Sequence, residues 1–303
     1  MLAPVSWGTT YLTVTELLPA DHPLMVAALR VLPAGVALSL FGRITSRWRP
    51  IGRQWSDLTL LALFNFAIFF PLLITAVYRL PGGVAASMGG LQPLLVATVS
   101  RLVLRQRLRR LDAVVGVAAV IGVSLVVLRP GAAFDPIGLL AAVGANVSFS
   151  IGVVLTKALP PPGNRLASTG WQLLLSALVL VPLALVVEGI PPIPSARNVA
   201  GFAYLSLAAT GGAFALWFNG IRRLPIQAPP LLGLAAPITG AALGWIVLNE
   251  ALSTSQLAGF VITISAISYG ATVGSRGVRS EPPRVTGRYV AGVKAARGGS
   301  PLQ

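Results

Sequence analysis

The chain of 303 residues has no cysteine, one histidine and eight carboxylates. Without cysteine there is no disulfide, no thiolate metal site and no cysteine nucleophile. His22 alone cannot build a cluster of imidazole ligands. Charge of either sign is scarce: charged residues are 10% of the chain, where a soluble domain carries about 25%. That deficit excludes a soluble surface. No nucleotide-binding motif occurs, which excludes ATP hydrolysis on this chain. Residues 1–19 have no basic leader and include Glu16, so they do not read as a cleaved signal peptide.

Apolar sequence fills the space these absences leave. Hydrophobic residues make up 55% and the mean hydropathy is +0.80. A helix needs about 20 mostly apolar residues to cross the hydrocarbon core. Windows of that length, between polar or Pro/Gly breaks, fall near 2–18, 23–41, 58–78, 82–104, 111–128, 137–157, 166–187, 199–220, 226–248 and 255–274. Backbone groups in lipid must be satisfied internally, so the reading is an all-α membrane protein with ten transmembrane helices. The nine connections are short and leave no room for a soluble domain. The first span has a short lead before Trp7, which admits an initiation codon upstream of Met1.

The formal charge of +15, from 23 Lys and Arg against eight acids, is explained by where the cations fall. Arg43, Arg47, Arg49 and Arg53 follow span two. Arg105, Arg107, Arg109 and Arg110 follow span four. Lys157, Arg165, Arg222, Arg223 and six cations of the tail lie on the same side. The opposite connections hold only Arg79, Arg129 and Arg197. The positive-inside rule therefore predicts both termini in the cytoplasm. Residues 275–303, rich in Gly, Pro, Ser and Arg, read as a disordered cytoplasmic tail drawn to the anionic inner leaflet. His22, beside Asp21, reads as a solvated loop residue, and Asn249 with Glu250 as the end of span nine.

Residues 79–108 lie over 223–252 at a constant offset of 144. Arg79, Leu80, Pro81, Gly89, Pro93, Ala97, Val103, Leu104 and Leu108 all meet identical partners. Two halves of five spans, 1–128 and 137–274, follow from this duplication. Five is odd, so the second half must cross in the opposite sense, giving an inverted repeat. Gly89, Gly90 and Pro93 interrupt span four, and Pro229, Pro230, Gly233 and Pro237 interrupt span nine. Matched broken helices predict hinges at Gly89, Pro93, Gly233 and Pro237 around a midplane site.

Ionisable groups inside a membrane are costly and mark function by default. Glu16 and Arg30 qualify, and their heights predict an ion pair between spans one and two. In the functional reading Arg30 attracts an anionic substrate group and Glu16 exchanges the coupling proton; in the structural reading the pair only locks the hairpin. A second set of polar and aromatic residues falls near mid-span: Trp7, Thr10, Tyr11, Asn65, Gln92, Asn146, Trp171 and Gln172. Amides bind a substrate's polar atoms and aromatic rings wall its planar parts. The same residue types also hold helices together.

The run Trp7-Gly8-Thr9-Thr10-Tyr11, Leu29-Arg30, the Pro/Gly pattern of spans four and nine, and the five-plus-five duplication resemble the EamA domain of the drug/metabolite transporter superfamily. Thr15-Glu16 with Ala28-Leu29-Arg30 and Leu32-Pro33-Ala34 is most similar to the PecM-type exporters, whose members are often labelled blue-pigment (indigoidine) exporters. The resemblance implies a multi-pass inner-membrane protein of two EamA-like five-helix repeats with a central cavity. It further implies secondary-active export of a small metabolite, amino-acid derivative, pigment or drug-like compound by alternating access. The expected partners are a small-molecule substrate and the lipid bilayer; no cofactor, metal or nucleic acid is expected, and a homodimer is left open. The competing reading is an integral membrane enzyme or a regulatory membrane protein. Its acid–base chemistry would need clustered carboxylates or histidines, which the chain does not supply.

Overall fold

In a computed structural model of the chain, the residues described are 2–278 apart from 47, 81–83, 85–87, 106–109, 128–134, 160–163, 192, 225–227, 237–238, 240–242, 244–245 and 247–252. Among the described residues there are helices and no strand. In chain order they are α1 (Leu2–Gly8), α2 (Thr10–Leu17), α3 (Pro23–Ser46), α4 (Gln54–Arg79), α5 (Met88–Leu104), α6 (Arg110–Val127), α7 (Pro136–Ala158), α8 (Arg165–Val187), α9 (Ala196–Ala203 continuing through Ala213–Arg223), α10 (Ala228–Gly233) and α11 (Thr254–Val278). Five of them, α3, α4, α7, α8 and α9, are long and apolar enough to cross a membrane. Shorter apolar helices occur at Met88–Leu104, Ala113–Gly122 and Thr254–Ser265.

Three of the long helices, α7, α8 and α9, start where the sequence supplies a side-chain cap. Asp135 accepts from the N–H groups of Ile137 and Gly138 ahead of α7, with Pro136 at the first helical position. Asn164 accepts from Leu166 and Ala167 ahead of α8. Ser195 and Asn198 form a reciprocal capping box on α9. Such caps satisfy donors that the first turn would otherwise leave unpaired.

The bundle has two rims. At one, the end of α2, the start of α3, the ends of α4 and α8 and the starts of α7 and α9 meet. Tyr78 Oη donates to the Pro19 carbonyl at 2.8 Å. Glu188 accepts from the Leu24 and Met25 N–H groups at 2.7 and 2.8 Å, and Asn198 donates to the Leu17 carbonyl at 2.8 Å. At the other rim, Asn164 approaches Thr45, Arg165 donates to Asn219, and Lys157 caps the carbonyls of Ile221 and Leu224. Trp55 stacks edge-on against Trp171 there, at 5.0 Å between centroids.

Small residues set the helix separations. α3 and α8 pack along much of their length, with Gly35 and Gly42 of α3 against Leu173, Leu174 and Ala167, and Gly170 of α8 against Ser39. A methyl group on Gly42 would lie 2.7 Å from the Ala167 Cα. Membrane helices use small residues in this way because van der Waals contact must replace the hydrophobic drive that lipid removes.

Two π-helical segments, Leu63–Ala67 in α4 and Tyr204–Gly212 in α9, loosen the backbone ladder. Neighbouring side chains take up the carbonyls in and beside them. Ser148 donates to the Phe64 carbonyl at 2.8 Å, Ser176 to that of Ala62 at 3.0 Å, and Trp7 Nε1 to that of Ala209 at 3.1 Å. Pro33 breaks the ladder of α3, and the next N–H, of Ala34, donates to Ser206 Oγ at 2.9 Å. The two π segments overlap under the 144-residue offset. So do the side-chain caps Ile51 N–H to Gln54 at 3.1 Å and Ser195 N–H to Asn198 at 2.8 Å. The extended residues that end α4 and α9, Leu80 and Leu224, also match.

Several sequence expectations are refined. The first span is two helices, broken at Thr9, whose hydroxyl turns back to the Ser6 carbonyl at 2.8 Å. Span four contains a 3-10 turn, Met88–Leu91, so Gly89 and Gly90 sit in that turn and Pro93 sits in the α-helix that follows it. α11 continues to Val278, past the expected span end at 274. Pro237, Asn249, Glu250 and residues 279–303 lie outside the described residues.

Candidate functional site

A cavity holding about 950 Å³ of atom-free space, counted out through its mouth, opens among α1, α2, α3, α4, α5, α7, α9 and α10. Its polar lining comes from Thr10, Tyr11, Arg30, Gln92 and Asn146. Trp7, Phe69, Phe70, Phe149 and Phe214 supply an aromatic wall. The wall is continuous: Trp7 lies 4.7 Å from Phe214 and 5.8 Å edge-on from Phe149, and Phe69 stacks on Phe149 at 4.8 Å. Gly89 and Gly233 complete the lining, and the absent Cβ of Gly233 would lie 2.7 Å from Gln92 Oε1.

Among the described residues Arg30 is the one charged member of that lining. It projects from α3, about 10 Å along the helix from Pro23 at 1.5 Å per residue, and is 1% exposed. Its Nε donates to Thr210 Oγ1 at 2.7 Å, and one terminal nitrogen, Nη2, reaches Thr10 Oγ1 at 3.4 Å. The guanidinium carbon stands 4.2 Å from the centre of the Phe70 ring. The other terminal nitrogen, Nη1, is buried without a hydrogen-bond partner. Among the described residues no carboxylate lies within ion-pair distance of it.

The expected Glu16–Arg30 pair is therefore not formed. Glu16 is half-exposed and faces Arg197 at 3.8 Å, on the rim. The reason lies in the rotation of α2, which carries Thr10 toward Arg30 and Glu16 away from the core.

The remaining expected site residues divide cleanly. Trp7, Thr10, Tyr11, Arg30, Gln92 and Asn146 line the cavity, as do Gly89 and Gly233. Asn65 and Gln172 lie outside that lining, in a buried network of their own. Asn65 Nδ2 donates to Thr156 Oγ1 at 3.3 Å and to Gln172 Oε1 at 3.4 Å. Gly152 presses on that same amide, its absent Cβ 2.8 Å from Asn65 Cγ. Trp171 is displaced further, to the rim beside Trp55 with Arg43 5.8 Å from its ring. Tryptophans near helix ends fit the membrane interface, where an amphipathic ring is favoured. The phenylalanine wall went unremarked in the sequence, although Phe70 and Phe214 share the 144-residue offset, as do Gly89 with Gly233 and Gln92 with Ala236. All six residues line the cavity.

An apolar cavity with a few convergent polar groups, set among helices of this length, suits capture of a small amphipathic molecule. A family model, the EamA-like transporter family, matches residues 1–128 and again 136–269.

The chain belongs to the EamA-like transporter family.

It is thus a multi-pass membrane protein of a transporter family. Protein PecM of Dickeya dadantii (strain 3937) is 39% identical over 267 residues, 88% of each chain. An uncharacterized transporter, YwfM, of Bacillus subtilis (strain 168) is 30% identical over 265 residues, 86% of this chain and 88% of its own. A probable amino-acid metabolite efflux pump of Salmonella typhimurium is 24% identical over 283 residues, 88% of this chain and 91% of its own. A solved crystal structure superposes with a TM-score of 0.69 over 92% of this chain and 96% of its own, at 22% identity, which speaks to the fold.

Proposed function

We propose that this EamA-family protein is a secondary-active exporter that carries a small organic metabolite across the cell's inner membrane by alternating access. The observation that carries the reading is the cavity itself. Residues from both family-matched segments line it, Trp7, Arg30, Phe70 and Gln92 from one, Asn146, Phe149, Phe214 and Gly233 from the other. A site shared by two segments changes its exposure when they rock against each other.

In this reading the halves are 1–128 and 137–274, ten crossings related as an inverted repeat, with 275–303 as a basic cytoplasmic tail. Supporting it are the local structures that recur 144 residues on: the π segments, the side-chain caps and the extended helix ends. Gly89, Pro93, Gly233 and Pro237 would act as hinges. Trp7, Thr10, Tyr11, Arg30, Gln92 and Asn146 would contact substrate. Both termini would face the cytoplasm, a reading that the cation distribution supports. Glu16, being at a rim, is a poor proton carrier for a site at the cavity, so proton coupling would need another group.

The direct test is flux. Purified protein in proteoliposomes is loaded with a labelled panel of amino acids, aromatic acids and amines, and release is followed with and without a pH gradient. Release of at least one solute above protein-free vesicles, abolished by filling the cavity with Gly233→Trp, is the expected result. Conversion of a panel member to a product without net flux would favour the membrane-enzyme reading instead.

A further inference from the structure

The geometry points to a specific chemical class of cargo: an aromatic or otherwise planar monoanion, a carboxylate on an unsaturated body, with its carboxylate on Arg30. The inference rests on the transport reading for its word cargo, but the binding preference stands by itself.

Charge comes first. Guanidinium does not lose its proton in proteins, and a buried cation without a counter-charge is expensive. Arg30 is 1% exposed and has two threonine hydroxyls and a phenyl face as neighbours, none of them an anion. Nη1 is left with no partner. The arrangement holds the group in place through Nε and leaves its terminal edge to be completed. A carboxylate supplies two acceptor oxygens in the plane of the guanidinium, and the 3.4 Å bond to Thr10 is long enough to be surrendered to it.

Charge also sets the number. Among the described residues the cavity lining holds one cation and no carboxylate. One negative charge neutralises it. A dianion such as a phosphate monoester would leave a net negative charge in a poorly screened site, and a cationic amine would meet only like charge.

Shape completes the assignment. Trp7, Phe69, Phe70, Phe149 and Phe214 offer ring faces and edges to a flat body. Asn146 gives one amide hydrogen to the Ala142 carbonyl at 2.9 Å, which leaves its oxygen as an acceptor and its second hydrogen as a donor for polar atoms of the ligand. An N–H on the ring system would meet that acceptor.

Four probes of closely matched size separate these statements: indole-3-acetate, indole-3-acetamide, tryptamine and phenyl phosphate, titrated calorimetrically into the purified full-length protein in lipid nanodiscs. The wild type should bind indole-3-acetate at least about tenfold more tightly than the amide, tryptamine or phenyl phosphate, the gain expected of a charge-assisted hydrogen bond. Arg30→Gln should bring acid and amide to within about twofold of each other while leaving the amide's affinity in place. Arg30→Lys, which keeps charge but loses the planar fork, should fall between. If Arg30→Gln does not yield monodisperse protein, the ranking in the wild type still decides. An amide or amine that matches or exceeds the acid, an acid that does not bind at millimolar concentration, or a preference unchanged in Arg30→Gln overturns the assignment. Tighter binding of phenyl phosphate overturns the monoanion part. Flux of the same probes separates this inference from the one before it. Transport of tryptamine or the amide but not the acid keeps the transporter and removes the anion site. Binding of the acid without flux of any probe keeps the anion site and removes the transporter.

Discussion

Arg30 and Thr210, 180 positions apart, meet through a 2.7 Å hydrogen bond from Nε to Oγ1 in the buried centre of the bundle. The bond ties α3, from the first matched segment, to the π segment of α9, from the second. It also fixes the orientation of the one charge that the cavity presents among the described residues. Replacing Thr210 by valine keeps the volume and removes the acceptor, leaving a further buried donor unpaired. The expected cost is about 1–3 kcal/mol, with Thr210→Ser close to the wild type. Thermal unfolding in detergent, followed by intrinsic fluorescence, measures both; equal melting of the valine and serine variants would contradict the role given to the bond.

Glu188 and Glu16 make a useful contrast. The Glu188 carboxylate accepts two backbone N–H groups at the start of α3, where the helix dipole adds to the hydrogen bonds. Glu188→Ala should lower stability by about 1–2 kcal/mol. Glu16 holds an exposed partner, Arg197, at 3.8 Å, and pairs of that kind contribute about 0–1 kcal/mol. Glu16→Gln should therefore leave both melting temperature and transport unchanged. A loss of flux in Glu16→Gln at normal expression would restore a coupling role to that carboxylate.

Helix contacts give a prediction with an internal control. Gly42 meets Ala167 with its absent Cβ 2.7 Å from the Ala167 Cα, whereas Gly220 has nothing within 4 Å. Gly42→Val should push α3 from α8 and cost about 1–3 kcal/mol or more. Gly220→Ala should be neutral or stabilising, since alanine is favoured over glycine in a helix by about 1 kcal/mol. Size-exclusion profiles after a temperature series report the difference.

Acid sensitivity has one identifiable source on a rim. Asp135 accepts from Arg79 at 2.7 Å and caps α7 through Gly138 and Ile137. The Arg79 hydrogen bond first, then those backbone N–H groups, hold its carboxyl below the usual carboxylate range. A carboxyl depressed in the folded state contributes stability that is present above the unfolded value, about 3.9, and fades as pH falls through the folded value. Asp135→Asn should flatten the fall in melting temperature below about pH 4. Identical acid profiles for variant and wild type would show that the cap does not titrate with folding.

Helix positions were largely legible in the sequence because bilayer thickness and the cost of unpaired backbone leave little choice of length. The windows near 137–157 and 166–187 meet helices at Pro136–Ala158 and Arg165–Val187. Side-chain partners were less so. Whether Arg30 faces Glu16 or Thr210 depends on helix rotation and on a contact across 180 residues, which a single sequence does not encode locally. The π segments have no residue signature of their own, yet they supply the carbonyl that Trp7 uses and the hydroxyl that Arg30 uses. The sequence reading puts Trp171 near mid-span, but it stands six positions after Arg165 at the start of α8, which leaves it near a rim. The phenylalanine pair at 70 and 214 was readable all along through the duplication.

The native absence of cysteine makes the central proposal, a cavity exposed alternately to the two sides of the membrane, directly measurable. A single cysteine at Asn146, a residue in the cavity lining, is placed in an otherwise unchanged chain. Membrane-impermeant thiol reagents are then applied to the inside and to the outside of oriented vesicles. Alternating access predicts labelling from both sides, with substrate slowing both reactions and a cysteine at Leu178, exposed on α8 and turned to lipid in this reading, remaining unlabelled. Labelling from one side alone, under every substrate and gradient condition, would contradict it.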